Sequence, residues 1–491
     1  MSNDDTIAAV STAPGEGGIG IVRISGKKAA GILGGIFLTP GHEGPGGTAF
    51  ADRTMYYGHI VEPSSAETVD EVLVVFMKGP RSYTGEDVCE IQCHGGWIPL
   101  KKILDIVCSL GAVPAQPGEF TKRAFLNGRI DLVQAGSVID LVRSKTARGY
   151  HAAKEQAEGR LSLQVREIRD VLLGALAEIA VRIDYPEAFE EVDGPVAPGR
   201  NSGPEAFEDS DVDGGIGRVL ALAEGKIAEL LEGADAGRLI RDGVRAVIIG
   251  KPNTGKSSLF NALAREDAAI VTATPGTTRD SLEIWLDMLG VPVLLSDTAG
   301  IRESVEEIEA LGIRRAREQY EKADIAIFLL DGSGPISEED KAIAKGLNPE
   351  KGLIVAINKT DLPQAFGRPE AASILPFEYK CDDVLQISLI GDEASNIKDN
   401  LGIIEKSIEG FATGGVAAGS SLLVTKAKHK ALLEKAAAEI GEAKGVLMAD
   451  EAPEFAEVNI RAAWEALGEM IGETATDDII DRVFEEFCVG K

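Results

Sequence analysis

Four short apolar runs lie in the middle of the chain, at 244–250, 291–297, 325–331 and 352–358. The stretches between them have apolar residues at helical spacing. Apolar runs of strand length that alternate with amphipathic helices are typical of a doubly wound α/β unit, whose largely parallel sheet is covered on both faces. The pattern therefore predicts one α/β domain in this part of the chain.

Helical periodicity dominates the segments on either side of this domain. Apolar residues recur every three to four positions over 136–183 and 216–242, and again over 426–448 and 455–487. We therefore expect a helical domain interrupted by an inserted α/β domain. Residues 184–213 interrupt the first helical part with ten acidic residues, one basic residue and four prolines, and this composition predicts an acidic, flexible loop.

The first apolar run leads directly into a glycine-rich motif. Gly250-Lys-Pro-Asn-Thr-Gly-Lys256-Ser257 matches the P-loop pattern and lies between a predicted strand and a predicted helix. Backbone N–H groups of such a turn bind phosphate oxygens. We expect Lys256 to reach the β- and γ-phosphates of a nucleotide and Ser257 to ligate Mg²⁺.

Two further strand ends carry nucleotide-binding tetrapeptides. Asp297-Thr-Ala-Gly300 is expected near the Mg²⁺ ion and the γ-phosphate, and Asn358-Lys-Thr-Asp361 near the base. The Asp361 carboxylate can accept the N1 and N2 hydrogens of guanine, which adenine cannot supply. Thr278, in Gly276-Thr-Thr-Arg-Asp280 between the P-loop and Asp297, is the expected second Mg²⁺ ligand. Four motifs in this order predict a GTPase.

The water-positioning residue and the last base-contacting motif both depart from the usual pattern. Ile301 stands where Ras-like GTPases have the Gln that orients the attacking water, so a polar group from elsewhere is needed. The glutamates of 303–309 could supply it, or this run could be a solvated helix start. Ser388-Leu-Ile390 replaces the usual Ser-Ala-Lys.

Composition narrows the class of protein. The chain has 491 residues, 44% of them hydrophobic, which excludes disorder throughout and allows about three domains. It has no apolar run of about 18 residues and no basic N-terminus, so we expect neither a membrane span nor a signal peptide. Five cysteines are an odd number and fit a reducing cytoplasm.

The net charge is strongly acidic but unevenly distributed. Fifty Lys and Arg face 79 Asp and Glu, a formal charge of −29, which argues against a broad basic surface for nucleic acid. Residues 121–183, however, hold 11 basic and 7 acidic residues. If the protein contacts a nucleic acid directly, we expect Arg143, Lys145 and Arg148 to do so.

Three smaller motifs near the termini allow alternatives. Cys488 precedes Val-Gly-Lys491, which is no prenylation box, and is either a reactive thiol or an idle one. Gly15–Gly20 matches a dinucleotide-binding pattern but precedes a strand rather than a helix, so a glycine-rich turn is expected instead. Cys89, Cys93 and His94 have no nearby fourth zinc ligand and are interpreted as strand residues.

Several longer segments carry a family resemblance. Over nearly its whole length, the sequence resembles the MnmE (TrmE) family of tRNA-modification GTPases. Besides the GTPase motifs and the terminal Cys-x-Gly-Lys, the matching segments are TIAAVSTAPGEGGIGIVRISG (6–26), SYTGEDVCEIQCHGG (82–96) and PGEFTKRAFLNGRIDLVQA (117–135).

The resemblance implies a multidomain α/β and α fold. An N-terminal α/β domain similar to folate-binding aminomethyltransferase domains precedes a helical domain, which is interrupted by a Ras-like P-loop GTPase domain. The implied domains are a tetrahydrofolate-binding and dimerisation domain at 1–120, the first helical part at 121–242 with the flexible loop at 184–215, the GTPase domain at 243–410, and the second helical part at 411–491.

The motifs and the resemblance together assign the site residues. The catalytic residues are Lys256 and, for water positioning, Glu309. The motifs predict Ser257 and Thr278 as Mg²⁺ ligands, and the resemblance implies Asn253, Thr272, Thr274 and Thr277 as K⁺ ligands. Folate binding is implied for Arg23, Glu90, Lys491 and Arg129, which stands where some members have Lys. The expected GTP-binding residues are Asn253, Thr254, Gly255, Lys256, Ser257, Ser258, Thr272, Thr277, Thr278, Asp297, Thr298, Ala299, Gly300, Asn358, Lys359, Asp361 and Ser388.

The resemblance also implies an activity and partners. Family members are homodimers that act with flavin-containing MnmG (GidA) in a heterotetramer or larger complex. They add an aminomethyl or carboxymethylaminomethyl group to C5 of the wobble uridine of certain tRNAs. The implied cofactors are GTP, Mg²⁺, K⁺ and 5-formyl- or methylene-tetrahydrofolate, and K⁺-dependent pairing of the GTPase domains is implied to drive hydrolysis.

Two other functions compete with this interpretation. The GTPase motifs alone would fit a regulatory GTPase in ribosome assembly, although such proteins usually append a basic RNA-binding module and none is visible here. The N-terminal motifs alone would fit a folate enzyme that works without a flavoprotein. Unchanged C5 modification of the wobble uridine in a deletion strain would favour the first alternative. Modification by the purified chain without a flavoprotein would favour the second.

Overall fold

A computed structural model provides the three-dimensional structure of the chain. The residues that it describes are 5–41, 48–185, 212–266, 282–297, 318–390, 394–414, 424–449, 452–485, 487 and 489–490. They divide into two compact units, the first built from 1–139, 156–169 and 464–491, and the second from 140–155 and 170–463.

An antiparallel sheet forms the centre of the first unit. Its described strands, in the spatial order β3-β4-β5-β6-β2-β1-β7, are antiparallel except for the parallel pair β1–β7. Their bounds are β1 Ile7–Val10, β2 Gly17–Ser25, β3 Phe37–Leu38, β4 Met55–Val61, β5 Thr68–Met77, β6 Val88–Gly95 and β7 Val113–Pro114.

The two faces of this sheet differ because strand side chains alternate. On β5, Val72 and Val74 are buried against helices α1 (Ala29–Ile36) and α2 (Trp97–Ser109), whereas Leu73 is exposed. The outer face therefore carries the side chains available for function, among them Arg23 and Glu90, which are direct cross-strand partners on β2 and β6.

Helices make up most of the remaining chain outside the second sheet. They are α3 Glu119–Leu126, α4 Leu132–Arg143, α5 Ala147–Ala157, α6 Arg160–Asp184, α7 Val212–Glu232, α8 Ala234–Asp242, α13 Ala427–Met448, α14 Pro453–Ile471 and α15 Asp477–Glu485. The predicted helical character is confirmed, but the periodic stretches are divided. Thr146 starts a new helix by accepting a hydrogen bond from the Gly149 N–H (3.1 Å), and Gly159 turns the chain with φ +82°.

The second unit contains the predicted α/β domain. Its sheet has the order β13-β12-β11-β8-β10-β9 and is parallel except for the hairpin β9–β10. The strands are β8 Val244–Ile249, β9 Leu282–Met288, β10 Val291–Asp297, β11 Ile325–Asp331, β12 Gly352–Asn358 and β13 Leu385–Gln386. The four predicted strands are confirmed; β9 was not predicted.

Helices cover both faces of this second sheet, as expected for a doubly wound fold. Helices α9 (Lys256–Glu266) and α12 (Ala394–Thr413) lie in one apolar cluster, and α10 (Glu338–Lys345) and α11 (Arg368–Ser373) in the other. The carboxyl ends of β8, β11 and β12 consequently lie at one edge, where such folds bind their ligands.

The turn of the β9–β10 hairpin lies against the start of α5. Thr146 donates a hydrogen bond to the Gly290 carbonyl (2.9 Å), and the Lys145 ammonium lies 3.2 Å from the centre of the Trp285 ring. Arg148 forms an ion pair with Glu409 at 3.4 Å. The hairpin is thus held by the segment that joins α4 to α5.

None of the helices within the described ranges is both long and apolar enough to cross a membrane.

Candidate functional site

The P-loop follows β8, and its own side chains hold it together. The Lys256 ammonium at the start of α9 donates hydrogen bonds to the carbonyls of Gly250 (2.8 Å) and Lys251 (2.7 Å). The Thr254 hydroxyl donates to the same Lys251 carbonyl at 3.0 Å. Lys256 therefore lies across the loop, close to where the phosphates of a nucleotide bind in such motifs.

Two glycines of this loop are required by its surroundings. A Cβ on Gly250, whose φ is +150°, would lie 2.4 Å from the Leu329 carbonyl oxygen. A Cβ on Gly255, whose φ is +100°, would lie 2.3 Å from Nδ2 of Asn358. The loop can therefore approach the ends of β11 and β12 only because both residues lack a side chain.

The base-binding motif lies directly beside the P-loop. Asn358 is 3% exposed and donates a hydrogen bond from Nδ2 to the Thr254 carbonyl at 2.8 Å. The Lys359 ammonium forms an ion pair with Asp331 at 2.6 Å. Burial raises the pKa of the Asp331 carboxyl, but hydrogen bonds from Lys359 and Ser333 outweigh this and hold it below its ordinary value.

Ser388 lies where the unusual fifth motif was expected to act. Its hydroxyl is 2.6 Å from Oδ1 of Asp361, and its carbonyl accepts a hydrogen bond from Asn400 Nδ2 at 3.1 Å. The replacement of Ser-Ala-Lys by Ser-Leu-Ile therefore leaves the serine next to the exposed Asp361 carboxylate. Ile390 is 73% exposed and adds no polar group.

The described residues thus bring one part of the predicted nucleotide site together. Asn253, Ser257 and Ser258 are exposed around the same loop, and Asp297 ends β10 beside Ile248 of β8. The remaining predicted nucleotide-site and metal-site residues lie outside the described residues: Thr272, Thr274, Thr277, Thr278, Thr298, Ala299, Gly300 and Glu309.

A second group of predicted residues lies on the outer face of the first sheet. The Arg23 guanidinium and the Glu90 carboxylate form an ion pair at 2.9 Å, with side chains 21% and 18% exposed. Arg23 also lies 5.6 Å from the ring centres of Tyr83 and Phe120. The pair is therefore fixed from two sides but remains open to solvent.

Tyr83 links the two predicted arginines. Arg129 donates a hydrogen bond to the Tyr83 carbonyl (2.7 Å) and lies 5.2 Å from its ring centre, so the ring contacts both guanidinium groups. The Tyr83 hydroxyl is in turn hydrogen-bonded to Thr121 at 2.8 Å. Sequence reasoning did not single out this residue, although it lies within the segment 82–96 that carried the resemblance.

The C-terminal motif reaches the same site through Gly490. Its carbonyl accepts hydrogen bonds from the Ser11 hydroxyl (3.1 Å) and from Nη1 of Arg23 (3.3 Å). Gly490 has φ +93°, and a Cβ would lie 2.2 Å from the Val10 carbonyl oxygen. Cys488 and Lys491 lie outside the described residues.

Cys89, Cys93 and His94 are strand residues, as interpreted from the sequence. All three belong to β6, and burial raises the pKa of Cys89 to about 12 and that of Cys93 to about 11. Protonated thiols are poor metal ligands and poor nucleophiles. Within the described ranges, no cluster of three His, Cys, Asp or Glu side chains could hold a metal ion.

Two of the basic residues expected to contact tRNA, Lys145 and Arg148, make contacts within the protein. Lys145 lies over Trp285 and Arg148 pairs with Glu409, as described above. Desolvation lowers the pKa of Lys145, consistent with its partly buried position. Arg143, the last residue of α4, is exposed.

Two family models match the chain. Residues 6–129 match the GTP-binding protein TrmE N-terminus, and residues 132–488 match the MnmE helical domain. The chain belongs to the MnmE family of tRNA modification GTPases. Curated MnmE proteins match it end to end: those of Alkaliphilus oremlandii and Clostridioides difficile are 44% identical over 494 residues and 41% identical over 491 residues, and each alignment covers 100% of both chains.

Two solved structures resemble part of the chain. Era in complex with MgGDPNP and nucleotides of 16S ribosomal RNA is 27% identical, covering 33% of this chain and 56% of its own, with a TM-score of 0.24. The G domain of the T. maritima FeoB iron transporter is 26% identical, covering 33% and 97%, also with a TM-score of 0.24. The family assignment to MnmE does not depend on them.

Proposed function

We propose that this GTPase of the MnmE family modifies tRNA, and that it couples GTP hydrolysis to a one-carbon transfer at C5 of the wobble uridine. The observation that carries the proposal is the common edge of the second sheet, where the P-loop, Asn358 and the Asp361–Ser388 pair lie together. A phosphate-binding loop beside a carboxylate that can read guanine is what GTP requires.

Within this site, Lys256 would hold the β- and γ-phosphates and Ser257 would contribute one ligand to Mg²⁺. Asn253 would contribute a ligand to K⁺; its side chain is exposed, and its φ is +63°. Bound K⁺ would supply the positive charge that other GTPases obtain from an arginine finger. We propose that K⁺ pairs the GTPase domains of two chains and that Glu309 positions the water.

The first unit supplies residues that fit a folate. Glu90 offers a carboxylate acceptor, whose charge Arg23 balances, for the amino group of a pterin ring. Within the described ranges no carboxylate pairs with Arg129, whose guanidinium is exposed and can bind the carboxylates of a folate tail. When bound, 5-formyl- or methylene-tetrahydrofolate would supply the one-carbon unit.

The outer face of the first sheet also supports a homodimer. Tyr57 and Leu73 are cross-strand partners and are 50% and 38% exposed. Met55, two residues before Tyr57 and on the same face, is 52% exposed. An exposed apolar face of this kind marks an interaction surface. We propose that a second copy of the N-terminal domain covers it.

We further propose that the chain works in the cytoplasm with MnmG (GidA), in a heterotetramer or larger complex, and that this flavoprotein supplies redox chemistry and much of the grip on tRNA. The net charge of −29 supports tRNA binding by the partner, because an acidic chain attracts phosphate groups poorly. Functionally, the chain would divide into a folate-binding and dimerisation domain (1–120), a helical domain (121–242 and 411–491) and a GTPase domain (243–410).

Two measurements test the proposal. GTP turnover by the full chain should be several-fold faster in KCl than in equal NaCl; equal rates would contradict the K⁺ site. Mass spectrometry of wobble uridines from a deletion strain should show the loss of the C5 modification, restored by the intact gene. Unchanged C5 modification would instead favour a ribosome-assembly GTPase.

A further inference from the structure

The first variable residue of the P-loop has a partner outside the loop. Lys251 accepts two hydrogen bonds through its carbonyl, from Lys256 and Thr254, while its side chain leaves the loop in another direction. There its ammonium forms an ion pair with Asp340 at 2.8 Å and lies 3.5 Å from the Ser337 hydroxyl. Lys251 therefore connects the phosphate-binding loop to the first turn of α10.

Asp340 is well fixed and almost completely buried. It is the third residue of α10 and completes a capping box: its Oδ2 accepts hydrogen bonds from the backbone N–H (2.9 Å) and the hydroxyl (2.6 Å) of Ser337. The residue is 1% exposed. Burial raises the pKa of its carboxyl, but the hydrogen bonds from Lys251 and Ser337 outweigh burial and keep the pKa below its ordinary value, so the buried group stays ionised.

A buried carboxylate without its cation is strongly unfavourable, so the position of Lys251 is tightly constrained. The constraint extends to the Lys251 carbonyl, which, like the Gly250 carbonyl, accepts a hydrogen bond from the Lys256 ammonium. We propose that Asp340 is a positioning residue for phosphate binding, acting through Lys251 on the P-loop. Nothing in the motif itself predicts this role, because Lys251 occupies a variable position and Asp340 lies 89 residues further on.

A parallel contact shows why the segment 331–340 is suited to this task. Asp331, at the end of β11, pairs with Lys359 of the base-binding motif at 2.6 Å, just as Asp340 pairs with Lys251. One short segment therefore braces both loops of the nucleotide site. Loss of the Asp340 contact should loosen the phosphate side and leave the base side in place.

The test compares nucleotides that differ in the phosphate held by the P-loop. Full-length Asp340→Asn should bind Mg²⁺-GDP about tenfold more weakly, a free-energy change of about 1.4 kcal/mol, and GMP nearly unchanged. Lys251→Met should show the same pattern, and the double variant should be no weaker than either single one, because both remove one interaction. Lys251→Arg, which keeps the cation, should restore most of the GDP affinity.

The control is the neighbouring surface pair on the same helix. Lys341 pairs with Glu338 at 2.7 Å, with side chains 45% and 88% exposed, and Lys341→Met should bind GDP and GMP as the unaltered chain does. If Asp340→Asn lost affinity for GDP and GMP equally, Asp340 would only support the fold. Unchanged GDP affinity in Asp340→Asn would also overturn the inference. So would additive losses of GDP affinity in the double variant. It rests on the proposed nucleotide site, which GDP binding by the unaltered chain tests separately.

Discussion

The Ser388 hydroxyl donates a hydrogen bond to the Asp361 carboxylate across 2.6 Å, and it does so without the lysine usual two positions later. Ser388 and Asp361 come from loops that follow different strands, β13 and β12. The bond orients the carboxylate that we propose recognises the base. Ser388 is held in turn by Asn400 of α12.

Asp361→Asn should exchange guanine for xanthine recognition. The carboxylate accepts the N1 and N2 hydrogens of guanine, whereas an asparagine amide presents a donor that suits the C2 carbonyl of xanthine. Loss of hydrogen bonds to a charged group should weaken GTP binding about 10- to 100-fold. Competition of GTP and XTP for a fluorescent nucleotide measures the change. Asp382→Asn, at an exposed aspartate of the same unit, serves as control. An unaltered preference in Asp361→Asn would refute the base-reading role.

Glu309→Ala should slow GTP hydrolysis while nucleotide affinity stays within about twofold. Removal of a group that orients the attacking water lowers the rate about 10²–10⁴-fold when that group also acts as a base. Single-turnover hydrolysis in KCl, with a parallel binding titration, separates the two effects. The neighbouring Glu306→Ala and Glu307→Ala should hydrolyse GTP normally; a normal rate in Glu309→Ala would refute the assignment.

Gly490→Ala should weaken tetrahydrofolate binding and leave GTP turnover intact. The added Cβ would meet the Val10 carbonyl at 2.2 Å, and φ +93° is unfavourable for alanine, so the C-terminal residues must move away from Arg23. Calorimetric titration of 5-formyl-tetrahydrofolate checks the expectation. Val489→Ala, which alters an exposed neighbour, should bind normally. If both variants bind folate with equal affinity, the residues around Gly490 do not contribute to folate binding.

His429 should make the stability of the chain sensitive to mild acid. Burial, together with Lys426, Lys428 and Arg241, lowers its pKa from 6.5 to about 3 in the folded state. The unfolded chain therefore takes up this proton first, and stability falls as the pH drops below 6.5. Between pH 7 and pH 5 the loss should be about 2 kcal/mol.

Chemical denaturation at pH 7 and pH 5 measures this loss. His429→Leu removes the titrating group from its buried position, so the difference in unfolding free energy between the two pH values should shrink by about 2 kcal/mol. His151→Leu, at an exposed position of α5, should leave that difference unchanged. If His429→Leu retains the full pH dependence, other groups are responsible for it.

The nucleotide site at the edge of the second sheet was predictable because each of its motifs is short and follows a strand directly in the sequence. A strand, a glycine turn and a helix follow one another within 244–266, so the sequence order alone indicates the side of the sheet on which Lys256 lies. The same reasoning places Asn358 at the end of β12. Strand β9 was missed because it is an edge strand, antiparallel to its neighbour and interrupted by charged residues such as Glu283 and Asp287.

Contacts between distant positions were not predictable. The Lys251–Asp340 pair and the Ser11–Gly490 hydrogen bond join residues whose separation leaves no periodic or motif signal. Helix breaks were missed for a related reason: apolar spacing continues across Thr146 and Gly159. The side-chain cap of Thr146 nevertheless starts a new helix, and Gly159 turns the chain with a positive φ. The spacing of apolar residues indicates which face of a helix is buried, whereas individual caps and backbone angles determine where the helix begins or ends.

The hydrogen bond between Ser11 and Gly490 has a consequence for biosynthesis. The first unit needs both ends of the chain, and about 290 residues of the second unit are translated between its parts. At about 5–20 residues per second, the ribosome takes roughly 15–60 seconds to make them. The second unit can fold in that interval, while the N-terminal sheet waits for α15 and Gly490. A newly made chain therefore completes the second unit, with its nucleotide site, before the first unit.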